Sequence, residues 1–349
     1  MQQTIENKLG EINFRKKLME QQIEDKHYFD DEFNSEEIEK IINERMDETY
    51  KRIKQLTEKN IPVTTYFEIG AERGQRSLVM ENDIGATGAA VDLSFDMLKS
   101  CSYYSAKFNK LRIPLRICTD AYNLPFKSNS IPFIFCYQTL HHFPDPTPII
   151  NEMHRVLSDG GFFLFDDEPY KKVLHLSLYK KRNKVYSKEE RGKSYFKKVL
   201  DYFFAEESCN EVDYGVIEND KIPLRVWKKG LNIFDKKDIQ LKSAKVITSH
   251  LFSPHNYFAF ILTYLLGGHI SGICKKSGTY SGNSTDIYDL IICPSCKENG
   301  LEITLNKGNT NYACSNCKRN YPEVEGVLIL LNDELFEKLY PDFFGKDFF

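Results

Sequence analysis

The chain has 349 residues, a net charge of −3 and 41% hydrophobic residues. This length accommodates one large domain or a large and a small one, and the composition is that of an ordinary globular protein. The slightly acidic balance excludes a protein that coats nucleic acid through its overall charge.

The N-terminal residues and the cysteines bear on the compartment. The first eight residues, MQQTIENK, are polar and lack an apolar secretion segment. Nine cysteines, an odd number in a long chain, are typical of a reducing environment. We therefore expect the protein in the cytoplasm.

The first 60 residues are predicted to form a helical cap. Apolar residues recur at helical spacing from Ile38 to Leu56, and the opposite face is charged, so this helix packs on one side only. Asn34 followed by Glu37 fits a capping box at its start. The sequence Asn60-Ile61-Pro62 ends it.

Between Val63 and Glu168, short apolar runs alternate with helical stretches. Five strands are predicted, at residues 66–69, 87–91, 115–118, 133–137 and 161–165. The segments between them are long enough for helical crossovers, which predicts an α/β fold with a doubly wound, mostly parallel sheet. In such a sheet the ligand binds beyond the carboxyl ends of the strands, so the residues that follow each strand are candidates for the site.

The first predicted strand leads into a glycine loop, Glu68-Ile69-Gly70-Ala71-Glu72-Arg73-Gly74. Glycine suits a tight turn whose backbone passes close to a ligand, because it lacks a Cβ. On its own such a loop is weak evidence, since many enzymes use it and two glycines are often only a turn.

Polar residues at the next strand ends make the loop more informative. Asp92 ends the second strand, where an acidic group can accept hydrogen bonds from ribose hydroxyls. Asp120 and Ala121 follow the third strand and are placed for an adenine amino group and ring nitrogen. Gln138 and the residues up to His142 follow the fourth strand, where the reacting end of a cofactor would lie. One such aspartate is more often a helix cap, but the set together predicts a nucleotide-like pocket.

The segments EIGAERG, AAVDLSFDML, CTDAYNLPF and QTLHHFPDPTPIINEMHRVLSDGGFFLFDDEP resemble class I S-adenosylmethionine (SAM) dependent methyltransferases. They most resemble the branch related to quinone-biosynthesis methyltransferases, over about residues 63–168. The resemblance implies a Rossmann-like fold that binds SAM. It further implies that Glu68, Gly70 and Gly74 shape the site for the methionine end, that Asp92 holds the ribose and that Asp120 holds the adenine.

Two positions depart from the family pattern. Glu72 stands where the family usually has its middle glycine, and Ile131-Pro132 replaces the usual Phe-Asp before the fourth strand. Glu72 has a Cβ and a charge, so the loop must either turn this side chain away from the cofactor or use it. A carboxylate here disfavours a dinucleotide, whose pyrophosphate needs a cradle of backbone donors, and is compatible with cationic SAM.

The catalytic candidates are His142, its neighbour His141, and Glu168. Methyl transfer from a sulfonium is an in-line displacement, so alignment in a dry pocket can supply much of the acceleration. A general base helps only if the acceptor must lose a proton. The alternative is that the histidines only shape the pocket and that Glu168 caps the next segment.

The region after the fifth strand is less informative. Residues 170–200 contain eleven lysine or arginine residues against two glutamates, which fits either a solvated face or the capture of an acidic substrate or partner. A further pair of strands is predicted, including residues 245–249. The apolar run Tyr257–Leu266 has about half the length that crosses a bilayer. It predicts a buried helix or strand and no transmembrane segment, with an interfacial membrane contact as the alternative.

Near the C-terminal end, two CxxC pairs stand 17 residues apart, Cys293 with Cys296 and Cys314 with Cys317. Each pair can form a knuckle with two thiolates, and two knuckles joined by a hairpin give the four-sulfur site that Zn²⁺ prefers. Residues 301–305 and 311–313 are the predicted hairpin strands. Redox use of one pair is the alternative.

The stretch from Asp289 to Leu331 also resembles a family, the small zinc-ribbon activator subunit that binds several tRNA and release-factor methyltransferases. In that family the module stabilises its partner by covering apolar surface. The resemblance implies a structural or regulatory ribbon here, held at a fixed effective concentration by the shared chain.

These observations predict a helical cap (1–60), a methyltransferase domain with a basic insertion (61–285), a small β zinc ribbon (286–332) and a tail (333–349). The favoured function is transfer of a methyl group from SAM to a small-molecule, lipid or glycan acceptor. An RNA or protein methyltransferase is the first alternative, suggested by the ribbon and the basic segment, although nucleic acid is not the favoured partner. A non-catalytic SAM-binding scaffold, suggested by Glu72, is the second.

Overall fold

A computed structural model describes residues 2–23, 35–171, 215–217, 219, 222–243, 246–282, 286–309 and 311–343. Two helices, α1 (Ile5–Ile23) and α2 (Ser35–Glu58), precede the first strand and confirm the helical character of the N-terminal part. The predicted capping residue Asn34 and all but two residues of the basic segment 170–200 lie outside the described residues.

Alternating strands and helices follow, as the apolar pattern predicts. The strands are β1 (Thr65–Ile69), β2 (Thr87–Asp92), β3 (Leu115–Thr119), β4 (Ile131–Tyr137) and β5 (Leu157–Tyr170). The helices are α3 (Gln75–Val79), α4 (Phe95–Lys107) and α5 (Thr147–Val156), with a short π-helix at Met80–Ile84 and 3₁₀ turns at Ala121–Asn123 and Leu140–His142. All five predicted strands are confirmed. The fifth is longer than predicted at both ends.

The next elements are α6 (Leu224–Leu231), β6 (Lys236–Ser243), β7 (Ile247–His250), α7 (Tyr257–Leu266) and β8 (Gly268–Lys275). The predicted strand at 245–249 corresponds to β7, which forms an antiparallel hairpin with β6. The apolar run Tyr257–Leu266 is a helix, one of the two predicted forms, but the prediction that it is buried was wrong. Most of its apolar side chains are exposed or half-exposed, because the helix packs on the edge strand β7 and its neighbour β6 and contacts the protein along one side only.

The C-terminal part contains a 3₁₀ turn at Ile287–Leu290, helix α8 (Pro294–Lys297), four strands and helix α9 (Asp333–Leu339). The strands are β9 (Leu305–Lys307), β10 (Asn311–Cys314), β11 (Asn320–Val324) and β12 (Val327–Leu330). The first hairpin strand, β9, begins at Leu305, the residue at which the predicted strand 301–305 ends. Residues 301–303 instead bond to the first cysteine knuckle, through Leu301 N to Cys296 O and Cys293 N to Ile303 O.

The described strands form one twelve-stranded sheet, in the order β7-β6-β8-β5-β4-β1-β2-β3-β12-β11-β10-β9. Strands β1 to β5 pair in parallel, which confirms the doubly wound α/β fold, and β8 runs antiparallel beside β5. On the other side β12 pairs in parallel with β3, with Leu328 opposite Ile117. The four-cysteine segment therefore continues the central sheet.

The N-terminal and C-terminal parts share a core. Ile12 of α1 belongs to the same buried cluster as Phe95 of α4, Ile329 of β12 and Phe336 of α9. Helix α2 packs through Ile53 and Leu56 against β1 and β4. Both N-terminal helices are thereby held near the carboxyl ends of the central strands, where the strand order reverses and a ligand crevice is expected.

Candidate active site

A cavity of about 600 Å³ lies at the carboxyl ends of the central strands. This volume suits a small-molecule ligand. The structure brings most of the predicted site residues into its lining. These are Gly70, Glu72, Asp92, Asp120, Ala121, Gln138, His141 and His142. The cavity is also lined by residues of both N-terminal helices, including Arg15 of α1 and Arg45 of α2.

The two glycines of the loop have different surroundings. Gly70 has a φ of 67°, and a Cβ there would lie 2.3 Å from Thr139 Oγ1. Gly74 has a φ of 68°, precedes α3 and packs against Cys101, outside the cavity lining. Only Gly70 therefore brings bare backbone to the cavity, while Gly74 lets α3 start close to the sheet.

Glu68 lies behind the loop and does not line the cavity. It is buried and accepts a hydrogen bond from Ser77 Oγ at 2.5 Å. Burial raises the pKa of Glu68 to about 7, although Arg76 and the hydrogen bond from Ser77 oppose the rise. Its contacts tie β1 to α3, and any effect on a ligand acts through the loop.

Asp92 is fixed at the end of β2 by two backbone donors. Oδ2 accepts from Glu72 N at 2.9 Å, and Oδ1 accepts from Ser94 N at 2.8 Å. Burial nevertheless raises the pKa of Asp92 to about 6. Each carboxylate oxygen has a second lone pair, so the group can still accept hydrogen bonds from a ligand diol.

Asp120 has a partner that the sequence did not reveal. Lys8 of α1 lies with its Nζ 2.6 Å from Asp120 Oδ2, while Oδ1 accepts from Tyr122 N at 3.1 Å. This pair therefore ties the first helix to the strand end that was predicted to hold adenine.

Glu72, which departs from the family pattern, lines the cavity and is paired with both N-terminal helices. Its carboxylate lies 3.3 Å from Arg15 Nη1 of α1 and 3.1 Å from Arg45 Nη1 of α2. Burial alone would raise the pKa of Glu72, but these guanidinium groups outweigh it and hold the pKa well below its usual range. The carboxylate thus ties both cap helices to the glycine loop, at a backbone φ of 47° that glycine would adopt more easily.

The turn after β4 is organised by Glu168. This fully buried carboxylate accepts from the backbone N–H groups of Thr139 (2.7 Å), Leu140 (2.9 Å) and His141 (3.1 Å), and it lies 2.9 Å from His141 Nδ1. Both oxygens are engaged, and Glu168 does not line the cavity. These contacts favour a positioning role for Glu168 over a role in proton transfer.

His142 remains at the cavity. Its Nδ1 lies 3.1 Å from the Ile217 carbonyl oxygen, which can only accept, so Nδ1 carries a proton, and in the neutral ring the lone pair is then on Nε2. The His141 and His142 rings are in contact, with centroids 4.3 Å apart. This tautomer is the one that a general base needs.

A second histidine was missed by the sequence analysis. His269 Nδ1 lies 2.9 Å from Asp167 Oδ1, and both residues line the cavity. The hydrogen bond from His269 lowers the pKa of Asp167, whose other oxygen accepts from Gln138 Nε2 at 2.8 Å. No local motif marks His269, because only the antiparallel pairing of β8 with β5 brings it there.

Arg76 is the other missed residue. It is 4% exposed and lines the cavity, and its guanidinium lies 4.0 Å from the centroid of the Tyr137 ring. Burial lowers its pKa. Among the described residues it forms no ion pair within 4 Å, although Glu68 and Glu72 contribute favourable charge nearby. A buried guanidinium of this kind is suited to an anionic ligand group.

The four predicted metal ligands come together. The Sγ atoms of Cys293, Cys296, Cys314 and Cys317 all lie within 4.8 Å of one another. Cys293 Sγ lies 3.5 Å from Cys317 Sγ, and Cys296 Sγ lies 3.6 Å from Cys314 Sγ, distances too long for disulfides. A tetrahedron with Zn–S bonds of about 2.3 Å has sulfur–sulfur edges of about 3.8 Å, so the donor set fits Zn²⁺. Tyr321 Oη, 3.1 Å from Cys293 Sγ, adds an outer contact.

The cysteine segment contacts the helical layer as well as the edge of the sheet. Arg155 of α5 lies 3.1 Å from Glu302, and Lys297 of α8 pairs with Glu152 of α5. At the edge, Thr119 Oγ1 donates to Leu330 O at 2.6 Å. These contacts join the segment to two sides of the α/β unit.

Comparison with known proteins bears on the central segment. Residues 67–165 match the family described as a methyltransferase domain. The predicted resemblance of the central segment to methyltransferases is thereby confirmed, whereas the predicted domain bounds, 61–285, stay a prediction. An uncharacterized chloroplastic methyltransferase of Arabidopsis thaliana is 35% identical over 78 residues, 22% of this chain and 22% of that protein. A demethylmenaquinone methyltransferase of Staphylococcus epidermidis is 30% identical over 87 residues, 24% of this chain and 35% of that protein.

The chain thus spans about a fifth to a third of the length of the curated relatives it matches. Among solved structures, one chain of a complex between the Haloferax volcanii Trm112 methyltransferase activator and a methyltransferase has a TM-score of 0.40 and 14% identity, covering 68% of this chain and 93% of that one.

Proposed function

We propose that this protein is a SAM-dependent methyltransferase with a small-molecule, lipid or glycan acceptor. The observation that carries the proposal is the convergence of Gly70, Asp92 and Asp120 on one cavity, within the segment that matches a methyltransferase domain. Asp92 would accept hydrogen bonds from the ribose hydroxyls, and Asp120 would accept one from the adenine amino group. Gly70 lets the ligand approach the backbone of the loop.

Arg76 and the cap complete the proposed cofactor site. The buried guanidinium of Arg76 would pair with the carboxylate of the methionine end. Helices α1 and α2, held by Glu72, would exclude water from the reacting atoms, which favours aligned displacement. Because Glu72 is turned toward Arg15 and Arg45, the loop departure no longer argues for a non-catalytic scaffold.

SAM supplies an electrophilic methyl group when bound. The chain must then align the acceptor and, for an acceptor that loses a proton, remove that proton. We assign removal of this proton to His142 or to His269, whose ring Asp167 orients. Glu168 would hold the turn after β4 in place. A general base of this type contributes about 10²–10⁴-fold where it is needed.

We further propose that Cys293, Cys296, Cys314 and Cys317 hold a structural Zn²⁺ and that the segment around them acts as a built-in activator. The sulfur geometry and the pairing of β12 with β3 support this role. A cytoplasmic location stays a prediction. In the described part of the chain no helix is long and apolar enough to span a membrane.

Calorimetric titration with S-adenosylhomocysteine, the demethylated product of SAM, tests the proposal without knowledge of the acceptor. We expect one site per chain with a dissociation constant in the micromolar range, and a loss of affinity in Asp120→Ala. Asp83→Ala, which alters an aspartate outside the cavity lining, is the matched control. Absence of binding by the zinc-loaded wild type would contradict the function.

A further inference from the structure

Helix α7 exposes its large apolar side chains and buries a polar one, the reverse of the usual arrangement. Its ten residues, YFAFILTYLL, include no charge. Tyr257, Phe258 and Ile261 are 73%, 71% and 52% exposed, whereas Thr263, the one residue with an aliphatic hydroxyl, is fully buried. The Thr263 carbonyl accepts a hydrogen bond from Tyr170 Oη at 2.9 Å, which anchors the helix to the end of β5. A helix that is fixed to the protein while its large apolar side chains face outward marks a contact surface.

The surroundings of this helix are basic. Residues 224–275 contain eight lysine or arginine residues and two aspartates, in a chain whose net charge is −3. Lys228 of α6 lies with its Nζ 5.7 Å from the Phe260 ring centroid, and Lys237 lies 5.3 Å from the Phe252 ring. A second copy of the same surface would therefore meet like charge, whereas an anionic surface would be attracted.

The position of the helix relates this surface to the cavity. Only Gly267 and Gly268 separate its last residue from His269, which lines the cavity. The end of the helix is therefore close to a residue of the cavity lining. A partner held on α7 would lie near the cavity.

We propose that α7 is an interfacial membrane-binding helix that docks this protein on an anionic lipid surface. Its aromatic and aliphatic side chains would insert at the headgroup level, and the neighbouring lysines would contact anionic headgroups. Ten residues are too few to span a bilayer but suffice to lie in its interface. Uptake of the acceptor from the membrane by the docked cavity rests on the proposed function. Binding of α7 to the membrane does not.

Co-sedimentation with vesicles of phosphatidylcholine, with and without phosphatidylglycerol, tests the docking. The wild type should bind the phosphatidylglycerol vesicles, and added salt should weaken this binding. The double variant Phe258→Ser, Ile261→Ser should bind at least about tenfold more weakly. The double variant Lys228→Gln, Lys229→Gln should lose about fivefold in vesicle affinity per charge removed, and only on anionic vesicles.

The matched control is Leu111→Ser, an 82% exposed leucine in a different region, which should bind as the wild type does. Melting temperature and S-adenosylhomocysteine binding in solution report separately on folding and on the cofactor site. Failure of the wild type to bind vesicles, or equal binding by the α7 variant, would overturn the docking. A wild type that forms a dimer in sedimentation velocity, which the α7 variant abolishes, would assign the helix to a second copy of the chain and also overturn it.

Discussion

Lys8 and Asp120 form a largely buried ion pair, with Nζ 2.6 Å from Oδ2. Lys8 belongs to the first helix and Asp120 to the end of the third central strand, so the pair ties the N-terminal cap to the proposed adenine position. Removing one partner of a buried pair leaves a charge without compensation. A ligand that donates to Asp120 can replace part of what is lost.

Lys8→Met should therefore lower the stability of the ligand-free protein by about 1–3 kcal/mol. With S-adenosylhomocysteine bound the deficit should shrink, because the adenine amino group supplies a donor to Asp120. Thermal unfolding with and without ligand measures both values. The control is Lys99→Met, since Lys99 pairs with Glu325 at the surface, where such pairs contribute about 0–1 kcal/mol. An equal deficit in the two conditions would argue against adenine at Asp120.

Cofactor binding should depend on pH through Asp92. Its pKa of about 6 means that the carboxylate is ionised above pH 6 and protonated below it. If only the ionised form holds the ribose, the dissociation constant for S-adenosylhomocysteine should be flat above pH 7 and rise toward tenfold per pH unit below 6. Calorimetry across this range measures it, and Asp92→Asn should bind weakly with this dependence abolished.

Glu68 provides the discriminating variant for this pH dependence. Burial raises its pKa to about 7, but it lies behind the loop and outside the cavity lining. Glu68→Gln should therefore retain the inflection near pH 6. An inflection near pH 7 that Glu68→Gln removes would transfer the effect from Asp92 to Glu68.

Arg76→Gln should weaken the binding of S-adenosylhomocysteine by about tenfold or more, since hydrogen bonds to charged groups contribute about 1.5–3 kcal/mol. Methylthioadenosine lacks the methionine carboxylate, so its affinity should change little. Competition binding with both ligands separates the two cases. Arg112→Gln, at a half-exposed arginine outside the cavity lining, is the control. Equal losses for both ligands would contradict the assignment of Arg76 to the carboxylate.

The purified protein should contain one Zn²⁺ per chain, and Cys314→Ser with Cys317→Ser should abolish it. The short ribbon buries little apolar area of its own, so its folding should be coupled to the metal. Because Ile329 shares a cluster with Ile12 of α1, metal loss should also lower the affinity for S-adenosylhomocysteine. Elemental analysis and calorimetry measure the two effects.

The remaining cysteines, Cys101, Cys118, Cys136, Cys209 and Cys274, should contribute no zinc ligand. Cys274→Ala serves as the control, since this cysteine is buried in β8, far along the sheet from the cluster. Undiminished zinc in the double variant would rule out the proposed ligands. A metal-free protein with an intact melting transition would rule out the coupling.

The sequence predicts the features whose signals are local. Strands β1 to β5 follow from short apolar runs, Gly70 from its loop, and the cysteine cluster from CxxC spacing, since each signal lies within a few residues. Contacts between distant segments leave no such mark. Arg15 and Glu72 are 57 positions apart, and Thr119 and Leu330 are 211 apart. The use of Glu72 and the extension of the sheet therefore emerge only from the fold.

The same limit explains the error at α7 and the omission of His269. An apolar run predicts burial because apolar side chains usually lie inside, but whether a neighbour covers the helix is decided by tertiary packing. His269 lies in a segment with no motif, and its approach to Asp167 depends on the register of β8 against β5. The sequence marks Glu168 only as a catalytic candidate or a cap, whereas its four contacts favour a positioning role that no local signal specifies.

The pairing of β12 with β3 also bears on solubility. Without β12, the backbone N–H and C=O groups along one side of β3 would form an open edge, flanked by buried apolar residues such as Ile117 and Cys118. Open, apolar edges recruit other chains and lead to aggregation. In the described sheet the outermost strands are β7 and β9, with four and three residues. A truncation that ends before Val327 would replace the three-residue edge strand β9 with the five-residue strand β3, whose backbone is normally buried between two neighbours. It is therefore expected to give inclusion bodies rather than a smaller soluble enzyme.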